Sequence, residues 1–348
     1  MTQKINCHVY NETPYTNRDD LRVSLDVIIP VYNEEDVLDS LFERLEAVFS
    51  PSNKKEYRIT SVRYIMVDDG SKDRSAEIIK KHMAKRIPAV LYRFSRNFGH
   101  QNAVSAGLQH TNADVVAIID ADLQDPPEAI LEMLAKWREG YDVVYGERRK
   151  RKENFIKVGS YWLFYRLLAF LSEINIPLDS GDFSLMDRRV IQAMRDLPEK
   201  LRFPRVLRAW VGFRQTGLSY ERSQRAAGAT KYSFSKLYRL ATDGVASASI
   251  RPLRMAQLFS IFYLILVSAL ALLSFSKLWS HQGISEIGLW FLFSYLLISL
   301  GSFVQTFCIY ILSSYVGRTY LEVKGRPPYV ILEVIDKGND ATDLQNQK

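Results

Sequence analysis

Two stretches of this sequence run without a charge for longer than a soluble fold ordinarily tolerates. Met255 to Phe275 is 21 residues with no ionisable acid or base, and as a helix rising ~1.5 Å per residue it would reach about 31 Å, the depth of a bilayer core. Ile287 to Leu312 repeats the pattern with length to spare for tilt. Buried core helices would also read as apolar, but runs of this length fit a membrane better. Arg251 and Arg254 precede the first run, and Arg318, Lys324 and Arg326 follow the second, whereas the link KLWSHQGISE holds one lysine and one glutamate. By the positive-inside rule both termini and everything before the first run face the cytoplasm.

At 348 residues the chain has room for one large domain besides such a hairpin. A net charge of +7 suits nucleic acid, a membrane surface or a phosphate-rich ligand, and composition does not choose among them. Cys7 and Cys308 are too far apart in kind and place to suggest a disulfide framework or a zinc site. Residues 1–23 have no apolar core of signal-peptide length and predict an N-terminal extension.

Between residues 24 and 230 strands alternate with helices. SLDVIIP (24–30) reads as a buried strand, and Leu38, Leu41, Phe42, Leu45, Val48 and Phe49 recur at helical spacing after it. The pattern continues with strand 62–68, helix 74–86, strand 89–94, helix 101–110, strand 114–120, a helix from Pro127 to Arg138 and strand 141–146. Such alternation predicts an α/β domain with a mostly parallel sheet, whose ligands lie at the C-terminal strand ends. An aromatic-rich helix (154–171) and a short strand in SGDFSLMDRR follow. Residues 231–252 place Phe234, Leu237, Tyr238, Ala241 and Val245 on one helical face, which predicts an interfacial amphipathic helix, with core packing as the alternative. Residues 317–348 are expected to form a cytoplasmic tail, polar and disordered after about 333.

The strand 114–120 runs directly into DADLQDPPE. Carboxylates this dense resist sharing a site unless a cation or proton sits among them. If the chain stays extended, Asp120 and Asp122 point to one side with Gln124 next, and oxygen donors of this kind suit Mg²⁺ or Mn²⁺. PVYNEE (30–35) and DDGS (68–71) stand at equivalent places after earlier strands. Tyr32 offers a face to a nucleobase, Glu34 and Asp68 offer acceptors, and Gly70 permits a tight turn.

Taken in order, P-x-Y-N-E, D-D-G-S and D-A-D resemble family 2 glycosyltransferases of the GT-A fold, over about residues 24 to 250. FSRNFGHQNA (94–103), SGDFSLMDRR (180–189) and the GATKYSFSKL block extend the likeness to polyprenyl-phosphate glycosyltransferases, the bacterial relatives of dolichyl-phosphate mannose synthase. The resemblance implies a Rossmann-like catalytic domain, interfacial helices and two transmembrane helices in the inner membrane. It implies transfer of a hexose, glucose by preference, from a nucleotide-diphosphate sugar to polyprenyl phosphate, with Mg²⁺ or Mn²⁺ as cofactor. By position, Pro30, Tyr32, Glu34 and Asp68 match the nucleotide site, and Asp120, Asp122 and Gln124 the metal and diphosphate site. Arg148 matches an acceptor-phosphate contact, while Arg225 and Lys231 match basic residues near the donor diphosphate.

A lipid phosphate has its second pKa near 6, so it is largely a dianionic nucleophile at neutral pH and needs no general base. RRKRK (148–152) and the six arginines of 202–225 also suit anionic headgroups. Three other readings stand beside this one. A hydroxyl-acceptor transferase would need a carboxylate base, for which Asp182 is available. A processive synthase would want more spans and a Q-x-x-R-W motif that RVLRAW (205–210) does not supply. An inactive membrane scaffold would have no reason to keep DAD and DDGS. No G-x-G-x-x-G follows the first strand, against a dinucleotide enzyme, and net charge alone speaks for nucleic acid. The sequence leaves a homo-oligomer open.

Overall fold

The computed structural model describes residues 18–85, 87–148, 180–200, 202–221, 251–279 and 284–336. Four strands with apolar runs too long for a half-exposed sheet form its parallel centre: β1 (Val23–Val31), β2 (Ile59–Asp68), β3 (Ala89–Phe94) and β4 (Val115–Ile118). They lie in the order β3-β2-β1-β4. Beyond β4 the sheet becomes mixed. β6 (Ser180–Asp187) is antiparallel to β4 and to β5 (Val143–Arg148), and β7 (Gln215–Tyr220) runs parallel to β5.

Both faces of the sheet are covered, because alternate residues of each central strand are apolar on both sides. Val27 and Ile29 of β1 pack with α1 (Leu38–Val48), α3 (Ser75–Ala84) and α5 (Ala129–Arg138). Ile28 packs on the other face with α4 (His100–His110), α6 (Arg188–Arg195) and α7 (Pro204–Trp210). All three β1 residues are fully buried, and each such side chain contributes about 1.5–3 kcal/mol. The predicted apolar stripe of α1 is buried as expected. A short helix α2 (Pro51–Glu56) was not anticipated. It has no buried residue, and its signals are local: Ser50 caps it by accepting from the Asn53 N–H, and Pro51 starts it.

The C-terminal region differs from the expected disordered tail. Ile331–Asp336 forms β8, antiparallel to β3 at the sheet edge, and Lys80 Nζ fixes it with an ion pair to Glu333 at 2.8 Å. The alternation of ILEVID, with Ile331, Glu333 and Ile335 packed less openly than Leu332, suits an edge strand.

The described residues fall into two compact units, the first holding all eight strands and the second two long helices, α8 (Arg251–Trp279) and α9 (Ile284–Val323). Within the second unit Tyr263 Oη donates to the Leu297 carbonyl at 2.7 Å, and Gly301 makes room for that ring, since a Cβ there would stand 1.9 Å from the hydroxyl oxygen. Among the described residues one segment, Phe293–Val323, is long and apolar enough to cross a membrane, while Ala256–Leu270 is a shorter apolar stretch. The expected second run thus extends past Leu312 as one unbroken helix.

Candidate active site

The strand order places a switch point between β1 and β4, where the chain leaves β1 on one side to make β2 and returns on the other. Ile28 C=O accepts from the Ile119 N–H at 3.0 Å, and this is the last bond between the two strand ends. The next donor on that side of β1 would belong to Pro30, which has none. The ladder therefore stops, and a crevice opens at the C-terminal ends. Pro30, matched by sequence to the nucleotide site, is itself a buried strand residue beside Val67.

One wall of the crevice is the pair of loops after β1 and β2, stitched by short side chains. Ser71 Oγ accepts from the Asn33 N–H at 3.0 Å, Ser75 Oγ from Glu34 at 2.9 Å, and Asp73 from Glu35 at 3.1 Å. These bonds hold Tyr32 and Glu34 half-buried at the rim. Asp68 ends β2 fully buried, with Oδ1 accepting from the Ser71 N–H and Oδ2 lying 3.1 Å from Arg93 Nε. Gly70 has φ +69°, and a Cβ there would stand 2.5 Å from the Arg96 carbonyl carbon, so the DDGS turn presses on the β3–α4 loop in a way only glycine allows. Asp69 fastens the same loop by accepting from the N–H groups of Phe98 and Gly99.

The acidic turn does not follow the predicted extended path. The strand ends at Ile118, residues 121 and 122 are a turn, and Leu123 has φ +58°. Asp120, Asp122 and Gln124 therefore do not line one side by strand alternation. Asp122 is buried and its Oδ1 accepts from the Gln124 N–H at 3.1 Å, while Asp125 accepts from Tyr220 Oη on β7. Pro126 and Pro127 follow this turn and lead into α5.

Asp120 meets residues from three other elements. His100 Nε2, at the start of α4, lies 3.7 Å from Asp120 Oδ1 and 3.2 Å from Asp182 Oδ2 on β6. Gln101 Nε2 donates to the same Asp182 oxygen at 2.9 Å, and Arg205 Nε on α7 stands 3.5 Å from the other. Desolvation raises Asp120 to about 6, against the pull of His100 and with Asp182, Asp125 and Asp122 adding to the rise. Burial opposes charge on His100, yet the hydrogen bond it donates to Asp182 and the charge of Asp120 lift it to about 9. Asp182 is pushed up by burial but held well below the usual carboxylate range by His100, Arg205 and Gln101. Arg208, also on α7, is buried and drawn down to about 10 by desolvation. Four carboxylates, Asp120, Asp122, Asp125 and Asp182, thus stand among three cationic groups, His100, Arg205 and Arg208.

Of the residues predicted from sequence, Tyr32, Glu34, Asp120, Asp122 and Gln124 lie on the loops following β1 and β4, Asp68 is the last residue of β2, and Arg148 is the last residue of β5, in register with Tyr220. Arg225, Lys231, the rest of RRKRK, the predicted helix 154–171 and residues 231–250 of the predicted interface helix 231–252 lie outside the described residues, while residues 251 and 252 begin α8. His100, Gln101 and Arg205 were not assigned roles by sequence reasoning. His100 and Gln101 are neighbours on α4 and Arg205 lies on α7, and no spacing links that pair to Arg205 or to Asp182.

Residues 26–195 match the family described as glycosyl transferase family 2. An uncharacterized glycosyltransferase of Bacillus subtilis, YkcC, is 42% identical over 317 residues, covering 89% of this chain and 93% of that one. The chain is a family 2 glycosyltransferase. This glycosyltransferase is also 32% identical over 325 residues to the SfII prophage-derived bactoprenol glucosyl transferase of Shigella flexneri, covering 89% of its own length and 97% of the relative. Against the undecaprenyl-phosphate 4-deoxy-4-formamido-L-arabinose transferase of an Enterobacter species it is 32% identical over 335 residues, covering 92% and 97%. The glycosyltransferase has the GT-A-like α/β architecture expected from its motifs, with a mostly parallel centre.

Proposed function

We propose that this glycosyltransferase moves one hexose, glucose by preference, from a UDP-sugar to polyprenyl phosphate at the cytoplasmic face of a bacterial plasma membrane. The observation that carries the reading is the near full-length match to two relatives named for polyprenyl-phosphate acceptors. The α8–α9 unit supports a membrane location, with two spans and both termini cytoplasmic as the arginine-rich flanks suggest.

In this reading the nucleotide lies in the β1/β2 loops, against Tyr32, Glu34 and Asp68, and its diphosphate points to Asp120 and Asp122. Among the described residues no three His, Cys, Asp or Glu side chains are grouped to hold a metal by themselves. On this reading Mg²⁺ or Mn²⁺ would be held by one or two carboxylates and completed by substrate phosphates and water. The raised Asp120 and its three acidic neighbours are a donor set whose charge such an ion would offset. Asp120, Asp122 and the Gln124 side chain would hold it, and when bound it supplies neutralisation of the leaving diphosphate.

The lipid phosphate attacks the anomeric carbon from the side opposite the diphosphate; the new C–O bond forms as the old one breaks, and configuration inverts. Arg148 would orient the acceptor phosphate, and Arg225 and Lys231 the donor diphosphate. Asp182, held low by its cationic partners, is a weak proton acceptor, which favours an acceptor that arrives already ionised over a hydroxyl acceptor.

The test is mass spectrometry of lipids extracted from membranes containing the protein and given UDP-glucose, UDP-N-acetylglucosamine or GDP-mannose. The expected product is polyprenyl phosphate heavier by one hexose, formed from UDP-glucose and abolished by excess chelator. Absence of any sugar-bearing polyprenyl phosphate would overturn the acceptor assignment, and full synthesis in chelator would overturn the metal.

A further inference from the structure

Five buried side-chain polar atoms among the described residues have no hydrogen-bond partner: Arg18 Nε, Asp68 Oδ2, Gln101 Oε1, Asp182 Oδ1 and Arg205 Nε. Leaving such an atom unsatisfied costs about 1–3 kcal/mol, so proteins keep few of them. Three of these five belong to one cluster around Asp182. Its Oδ2 is well served, accepting from Gln101 at 2.9 Å with His100 Nε2 at 3.2 Å. Its Oδ1 faces Arg205 Nε across 3.5 Å with no hydrogen bond between them. The Gln101 amide cannot be turned over to relieve its own unpaired oxygen, because that would set the oxygen against Asp182 Oδ2.

The chemistry of the three atoms limits what can answer them. Asp182 Oδ1 and Gln101 Oε1 accept, and Arg205 Nε–H donates. A phosphate offers acceptors and a negative charge, which the Asp182 carboxylate repels. An ammonium donates but cannot accept from a guanidinium. A sugar hydroxyl does both without charge, accepting from Arg205 Nε–H and donating its single proton to Asp182 Oδ1 or to Gln101 Oε1; a water does both as well, and the experiment below separates the two. Polyprenyl phosphate has no alcohol group, so on the reading above the hydroxyl belongs to the donor. His100 ties the cluster to Asp120, the residue assigned to the donor diphosphate, and so places it beside the sugar end of that substrate.

We propose that Gln101, Asp182 and Arg205 form a polar cup that reads one ring hydroxyl of the transferred hexose and thereby selects the sugar. The proposal rests on the donor being a nucleotide sugar, and it is independent of the lipid acceptor. A site built to pair a hydroxyl rejects the analogue that lacks it, because its own buried groups are then left unmatched.

The experiment uses the full chain in detergent, without lipid acceptor. Binding of UDP-glucose, its 2-, 3-, 4- and 6-deoxyhexose analogues and its 2′-deoxyribose analogue is measured by calorimetry for the wild type, Asp182→Asn and Arg205→Lys. One hexose analogue is expected to bind the wild type roughly 100-fold more weakly than UDP-glucose, and both variants should bind that analogue and UDP-glucose within about threefold of each other. A wild type that loses less than about threefold with every hexose analogue holds a structural water only, and the proposal fails. Loss confined to the ribose analogue, or discrimination unchanged in both variants, also overturns it. Where a variant does not fold by circular dichroism, the wild-type series still decides. If UDP-glucose does not bind at all, the donor assignment falls together with the cup. If the pattern appears but no lipid product forms, the acceptor assignment falls and the cup stands.

Discussion

The two ends of the central sheet hold similar numbers of acids and treat them in opposite ways. At the N-terminal end each carboxylate is matched. Arg63 grips Asp26 with two bonds, of 3.1 and 2.7 Å, and Thr111 donates to the same carboxylate. Arg18 and Arg189 reach Asp142 at 2.6 and 2.7 Å, and Trp137 Nε1 donates to Asp187 at 2.9 Å. At the C-terminal end Asp120, Asp122, Asp125 and Asp182 crowd together with His100 and a misaligned Arg205, and four of the five unpaired buried atoms lie there or at Asp68. The first arrangement is finished by folding. The second leaves single atoms of Asp182, Gln101 and Arg205 unmatched, and on the proposed reading a bound substrate completes it.

Substitutions at the two ends should therefore separate stability from activity. The largest effect is expected at Asp122→Asn. The asparagine oxygen can still accept from the Gln124 N–H, so the turn persists, yet transfer should fall by about 10²-fold or more with an unchanged circular dichroism spectrum. Near-normal turnover would remove Asp122 from the diphosphate site and weaken the contrast.

Next in size is Asp142→Ala at the opposite end. It removes the nearest carboxylate from the fully buried Arg18, leaving Asp187 at 3.7 Å, and breaking a buried pair from one side costs about 3–5 kcal/mol. The denaturation midpoint should drop while turnover per folded molecule holds; a loss of turnover with no loss of stability would contradict the division.

The smallest effect is one of pH. Asp120 is raised to about 6, so its folded form binds a proton more readily than the unfolded chain, and the resulting penalty is full above about 6 and relieved as pH falls toward its unfolded value. Asp114, at the matched end, is pushed up by burial but lowered overall by bonds from Ser24; its contribution is present above its unfolded pKa and is lost only as pH falls further. Without metal the protein should become more stable from pH 7 to 5; His100, raised to about 9, adds to that rise only down to its unfolded value of 6.5, so Asp120→Asn should flatten the curve between about pH 6 and 5 and be about 1 kcal/mol more stable at pH 7, after allowance for solvent screening. Parallel melting curves in chelator for the two proteins across that range measure it, and an identical slope in both would refute the assignment.

The fold was largely legible because its signals are local or periodic. Apolar runs gave β1 to β4, and three- and four-residue spacing gave α1. β8 was missed because charge was weighed above the alternation in ILEVID, and an edge strand needs only one partner. At the site, acid density after β4 pointed to Asp120 and Asp122, but the extended path on which Gln124 would have joined them gives way to a turn at residues 121 and 122. The partners of Asp182 were illegible for a deeper reason. His100, Gln101 and Arg205 are brought to it by α4 and α7, and that juxtaposition is a product of tertiary packing with no counterpart in linear order.

Pro30 lets one absent proton decide how deep a binding cleft is. Two neighbouring strands zip together until the first rung that cannot be made, so the floor of the cleft is set by a position in the chain and not by the bulk of any side chain. Loops above such a floor can change in length and chemistry while its level stays fixed, which is how one scaffold can accommodate many different sugars.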